Sequence, residues 1–119
     1  MAEILNEQGK SAEALPYLNE VRKRADLGDI TNTNQAQLRN IILHERRVEL
    51  AFENKRWLDL VRTGNAISVM NAYGAALKAS GNHPNLVAST YNVTQNRLLF
   101  PIPFNERLVN PKLEQNPGY

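Results

Sequence analysis

Residues 38–64 read LRNIILHERRVELAFENKRWLDLVRTG and hold the chain's single tryptophan and its densest charge. On a helix turning about 100° per residue, Leu38, Ile41, Ile42, Val48, Phe52 and Leu60 fall on one arc, together with Glu45, Glu49 and Arg56. Leu43, Leu50, Trp57 and Val61 form a second stripe, and Asn40, His44, Arg47, Asn54 and Arg62 fill the remaining side. A helix apolar on two sides is packed on two sides. The pattern is longer than most globular helices. Asn54 marks its break, since Asn is the best non-glycine residue for a left-handed C-cap. One helix is expected to about Glu53 and a second from about Lys55 to Thr63, ended by Gly64.

Carboxylates on an apolar arc need a reason. Glu45 and Glu49 stand one turn apart and share a face. They are either an acid/base or metal-ligating pair, or two buried groups each held by arginine. The second reading is favoured because an unpaired buried charge is costly. Arg46, Arg47, Arg56 and Arg62 are at hand for such an ion-pair hub. On that basis Glu49→Ala is expected to destabilise the chain by about 3–5 kcal/mol.

The 119 residues are one domain's worth or a piece of a larger one. With 42% hydrophobic and 22% charged residues they have the composition of a soluble globular chain. The net charge is +2. Basic residues alternate with acidic ones in RKRAD, ERRVE and ENKRWLD, a mixed-charge surface and not a nucleic-acid footprint. There is no cysteine, which removes disulfides, thiolate metal sites and cysteine nucleophiles. No apolar run approaches the length of a membrane span, and no secretory leader is seen. MAEIL already looks like the inside of a helix, so the chain is expected to begin as a fragment does.

Outward from the central stretch, Met1 to Gln8 reads as a helix end stopped by Gly9-Lys10. Ser11 is expected to cap a helix over Ala12 to Ala25, with Ala14, Leu15, Leu18, Val21 and Ala25 on its inner face and Pro16 tolerated in its first turn. This unit looks like half of a tetratricopeptide-type repeat. Asp26 to Asn34 is a loop in which Thr33 or Asn34 caps the central helix; its acidic and amide side chains lack calcium-loop spacing. Ala66 to Lys78 is a further helix, weakened by Gly74. Ser80 to Gln95 is irregular with room for a short strand. From Asn96 to Tyr119 the chain should lie extended because LLFPIP excludes helix and central strand alike. Leu98, Phe100, Ile102 and Phe104 are its expected anchors, with a helical turn at residues 105–108 and turns at Asn110-Pro111 and Asn116-Pro117-Gly118. The fold class is therefore mostly α: a helix pair, a long broken central helix and an extended proline-containing tail.

Catalytic and metal signatures are not found. His44 before Glu45 lacks the second histidine of a zinc motif. The serines stand in no nucleophile-elbow context, and no glycine-rich phosphate loop occurs. No cofactor is expected. Trp57 could stack on a sugar, although its stripe with Leu50 and Val61 favours packing. Tyr73 and Tyr91 are freer to stack, and Asn82 and His83 sit in a loop that can make polar ligand contacts.

Four segments in order carry a resemblance: ALPYLNEVRKRADL, ERRVELAFENKRWLDLVRTG, LFPIPFNERLVNP and LEQNPGY. Together they resemble the C-terminal part of the SusD/RagB family of outer-membrane nutrient-binding lipoproteins. The family more often has glycine where Asn54 stands, a change that keeps left-handed access. Its larger N-terminal portion, signal peptide and lipid-bearing cysteine are not among these residues. The resemblance implies a non-enzymatic receptor at the cell surface that hands glycans or peptides to a TonB-dependent (SusC-like) transporter. No residue here matches a family ligand contact. The alternative is a helical-repeat module that binds protein or peptide. Without the N-terminal portion, exposed apolar faces are expected to drive self-association.

Overall fold

The computed structural model describes residues 1–83, 85–87 and 89–119. Six α-helices are found among the described residues: α1 (Ala2–Glu7), α2 (Ser11–Arg24), α3 (Gln35–Glu49), α4 (Arg56–Arg62), α5 (Ala66–Ala79) and α6 (Phe104–Val109). A 3₁₀ turn covers Gln95–Leu98, and no strand occurs among the described residues. The architecture is mostly α. The chain divides into two compact units, Met1–Arg56 and Trp57–Tyr119.

In the first unit α1, α2 and α3 pack on one another. Ala14 and Leu18 of α2 meet Leu38 and Ile42 of α3 in a core flanked by Ala2, Leu5, Leu15, Ile30 and Ile41. The spacing of four within each pair keeps both members on one face. Gly9, at φ 78°, stops α1 in a left-handed conformation, and the N–H of Lys10 donates to the Leu5 carbonyl. Asp26 ends α2 in the same manner, with the Leu27 N–H on the Arg22 carbonyl. Asn34 caps α3: its Oδ1 accepts from the Gln37 N–H at 3.0 Å.

The three helices are also joined by amides. Buried Asn6 donates to the Gln35 carbonyl at 3.0 Å and accepts from the Ser11 hydroxyl at 2.8 Å, while Gln35 Nε2 donates to the Asn6 carbonyl at 2.7 Å. Ser11 is thus the first helical residue and a tie to Asn6, where a cap was expected; Lys10 holds the cap position with no side-chain bond. Starting α2 at Ser11 also places Pro16 sixth in the helix, past the first turn, on the exposed face.

The central stretch departs from expectation at its middle. α3 ends at Glu49, about a turn early, and residues 51–54 form turns in which both Phe52 (φ 68°) and Asn54 (φ 56°) are left-handed. Asn54 is left-handed as expected, but the helix has already ended at Glu49 before the chain reaches it. Phe52, expected inside, is fully exposed, and Val48 is exposed too. Once the chain leaves the helix at Leu50, a 100° map no longer says where the next side chain points.

In the second unit the left-handed Gly64 stops α4 just past its last residue, and the Asn65 N–H reaches back to the Leu60 carbonyl. Leu60 and Ala66 are buried, and Trp57 is half-buried. The segment 80–95, which includes the undescribed Pro84 and Ala88, shows turns and no strand among its described residues. The tail runs back along itself. Because Pro101 and Pro103 have no N–H, a backbone ladder is closed to this stretch, and side chains take its place. Gln115 pairs with both the N–H and the C=O of Ile102 (2.8 and 3.0 Å), Asn116 donates to the Phe100 carbonyl (2.7 Å), and the Tyr119 hydroxyl donates to the Leu99 carbonyl (2.8 Å). Of the expected anchors Leu98 and Ile102 are half-buried, whereas Phe100 and Phe104 are exposed. α6 covers the expected helical turn and extends it at both ends.

Candidate functional site

The acidic pair on α3 separates on inspection. Glu45 is buried and accepts from Arg22 Nη1 at 2.7 Å, and Arg22 Nε also donates to the Gly28 carbonyl at 2.9 Å. Glu49 is exposed and pairs with Arg24. Both partners come from α2, not from the arginines at 46, 47, 56 and 62 on which the expected hub was built. Arg46 lies 3.9 Å from Glu3, and Arg62 bonds Asp59 at 2.8 Å within α4. Arg47 and Arg56 make no ion pair among the described residues. Glu49→Ala is accordingly expected to have only the small effect of an exposed pair, below about 1 kcal/mol. The larger effect moves to Glu45.

Elsewhere in the first unit, Arg39 grips Glu7 with two parallel bonds, Nε to Oε1 at 2.6 Å and Nη2 to Oε2 at 2.7 Å. That side-chain bonding holds the Glu7 carboxyl below the usual carboxylate range against an opposing effect of burial, with the charge of Arg39 adding to it. No group of three or more metal-ligating side chains is found among the described residues.

In the second unit the structure brings Tyr73 and Tyr91 together. Their rings meet edge to face, with centroids 5.8 Å apart and planes at 85°. Two features set this geometry. Tyr91 has φ 59°, an unusual value for a bulky residue. Its Cβ also sits so close to α5 that a Cβ added at Gly74 would lie 2.2 Å away. Gly74, read from sequence as a weak point in a helix, is the gap that admits Tyr91. Asn71 fixes the next residues, donating to the Val93 carbonyl at 3.0 Å and accepting its N–H at 2.7 Å.

Tyr91 lines a cleft of about 640 Å³ with Ser89, Asn92, Thr94, Asn96 and Arg97. Val93 and Gly118 complete the lining, whose polar groups are hydroxyls, amides and one cation, with no carboxylate among the described lining residues. The Arg97 guanidinium lies over the Tyr119 ring, 4.6 Å from its centroid. Asn82 and His83 are exposed in the turn after Gly81 and do not line the cleft. Arg97 and Tyr119 went unnoticed in the sequence because 22 residues separate them. One signal was available: Arg97 is the single Asp, Glu, Lys or Arg between Lys78 and Glu106.

These features define an all-helical scaffold, begun by a tetratricopeptide-type helix pair and closed by a proline-containing tail, that carries a cleft suited to polar ligands. Comparison with known proteins places it. The chain belongs to the SusD family, whose model matches residues 1–119. Three SusD-like proteins of Formosa agariphila are similar to it: P38 is 35% identical, P2 39% and P25 34%, each over 99% of this chain. The chain spans 22–23% of the length of these curated relatives. No solved structure matches it.

Proposed function

We propose that the chain is the C-terminal portion of a non-enzymatic glycan-binding receptor at the outer face of the outer membrane, working with a TonB-dependent transporter of SusC type. Membership of the SusD family across all 119 residues carries this proposal. The cleft beside Tyr91 fits it, since hydroxyl and amide groups match sugar hydroxyls and an aromatic wall suits a pyranose face. Tyr73 stands beside that wall as a second ring, and Asn82 and His83 are proposed as outlying polar contacts. A lipid anchor outside residues 1–119 would hold the receptor at the surface; no described helix here is long and apolar enough to cross a membrane.

A glycan array probed with the full chain tests the proposal. Binding to at least one oligosaccharide, weakened by Tyr91→Ala, is expected; silence across neutral and charged glycans overturns it. Self-association belongs to the same proposal. Met1, Ile4 and Tyr17 are exposed apolar side chains around a groove of about 450 Å³ in the first unit, a surface that favours burial against a second copy. Light scattering of the 119-residue chain should show species larger than a monomer at high concentration. A single monomeric peak there counts against it.

A further inference from the structure

We infer that the cleft between Tyr91 and Arg97 selects saccharides that carry an oxyanion, either a carboxylate or a sulfate ester. The inference rests on the glycan-binding proposal above and narrows it to a substrate class. Three observations carry it. First, Arg97 has neither an ion pair nor a side-chain hydrogen bond among the described residues, so its guanidinium donors remain available. An arginine in a mixed-charge chain that finds no carboxylate is free to meet one on a ligand.

Second, the guanidinium is held in place without using those donors. It stacks on Tyr119, and Tyr119 is itself fixed by its hydroxyl on the Leu99 carbonyl at 2.8 Å. The contact with the ring holds the guanidinium without engaging its N–H donors in a hydrogen bond, so little side-chain freedom is lost when an anion binds. The backbone is pinned as well, because the Arg97 N–H donates to the Thr94 carbonyl at 3.0 Å.

Third, the surroundings favour one anionic group on an otherwise hydroxylated ligand. Ser89, Asn92, Thr94 and Asn96 offer neutral donors and acceptors of the kind sugar hydroxyls use. No described lining residue is acidic, so nothing in the cleft repels an oxyanion or competes for the guanidinium. A nucleic acid or a polyanion would call for several cations, and the lining has one. A volume of about 640 Å³ accommodates a small saccharide and lies in the range of small-molecule sites.

The test is titration calorimetry of the full chain with three probes: trigalacturonate, the neutral tetrasaccharide neoagarotetraose, and sulfated neocarratetraose. At least one anionic probe should bind about tenfold or more tightly than the neutral one, and its identity tells carboxylate from sulfate. Arg97→Gln should reduce that affinity about tenfold or more, the scale of a hydrogen bond to a charged group, and so remove most of the preference for the anionic probe over the neutral one. Tyr119→Leu, which keeps the guanidinium but removes its platform, should weaken the same probe. Both side chains are exposed, so the variants should fold. Equal binding of neutral and anionic probes, or unchanged affinity in both variants, overturns the inference while leaving glycan binding standing. Failure of all three probes together with a silent glycan array overturns both.

Discussion

Residues 1–56 gather Ala14, Leu18, Leu38 and Ile42 into one buried cluster, whereas residues 57–119 bury only Leu60 and Ala66 among their described apolar side chains. The first unit is three amphipathic helices, and apolar faces at helical spacing can close on one another. The second has three helices, two of them short, and long irregular connections that carry prolines. Such connections expose backbone donors and acceptors that must be satisfied. They are satisfied by side-chain amides. Asn71 pairs with both backbone groups of Val93, and Gln115 with both of Ile102, each imitating one rung of a β-ladder. The first unit uses the same device once, where Asn19 takes the N–H and C=O of Ile30, each at 2.9 Å, in the irregular α2–α3 connection. The amide clamp thus follows the extended backbone, and the apolar core follows the helices.

The comparison breaks hardest at the one charge pair set into the first unit's interior. Glu45→Ala leaves Arg22 beside the core without its carboxylate and should destabilise by about 3 kcal/mol, the lower end for a broken buried pair, because Arg22 keeps its bond to the Gly28 carbonyl. Chemical denaturation of wild type and variant measures it. Replacing both partners, as Arg22→Met with Glu45→Leu, should recover most of the loss. If the double replacement is as unstable as Glu45→Ala alone, the site depends on the charges themselves and the core-first account of this unit fails.

In the second unit the most sensitive position should be a packing site with no core around it. Gly74→Ala drives a methyl into the Cβ of Tyr91, an atom that cannot move without its backbone. A loss of about 2–3 kcal/mol is expected from the overpacking, in spite of alanine's better helix propensity. Tyr91→Gly removes the obstacle and suits the positive φ there. Gly74→Ala added to that background should be neutral or stabilising in a thermal melt. A full loss in both backgrounds would show that Tyr91 is not the cause.

Asn71→Ala should cost about 1–2 kcal/mol by leaving the Val93 N–H and C=O without their partner. Its sharper signature is local. Amide hydrogen exchange should quicken at Val93 and its neighbours while α2 and α3 stay protected. Uniform loosening of both units would erase the distinction between core and clamp.

Much of this arrangement could be read from sequence, and what could not has a common cause. The Gly9 and Gly64 stops, the Asn34 cap and the left-handed Asn54 are each written within a few residues, so local chemistry decides them. Phe52 was misplaced because an angular map presumes an unbroken helix, and α3 ends before it. The arginines that hold Glu45 and Glu49 lie 23 and 25 residues away on α2, and proximity along the chain pointed to the wrong ones. The clamps are just as illegible: Asn71 and Val93 are 22 residues apart, with no periodicity to connect them. The site repeats the lesson. Tyr73 could be nominated as an aromatic residue of the helix over 66–78 and Tyr91 as one of the irregular segment after it, but the glycine that lets them meet and the arginine that gives the cleft its charge depend on contacts across the fold.

The smallest expected effect concerns the exposed tie between α1 and α3. Glu7 is held below the usual carboxylate range chiefly by its hydrogen bonds from Arg39, whose own pKa is raised by the same contact. A carboxyl with a lowered folded-state pKa adds stability that is present above its unfolded value and lost as pH falls through the folded one. Arg39 stays charged throughout, so only Glu7 titrates. Both side chains are largely solvated, and screening keeps the contribution small. Glu7→Gln should therefore melt slightly below wild type at neutral pH, and the gap should close once pH passes below the carboxylate range, about pH 4. Added salt should narrow the neutral-pH gap in the same direction. A gap of equal size at both ends of the pH range would mean that Glu7 joins the helices by packing and not by its charge.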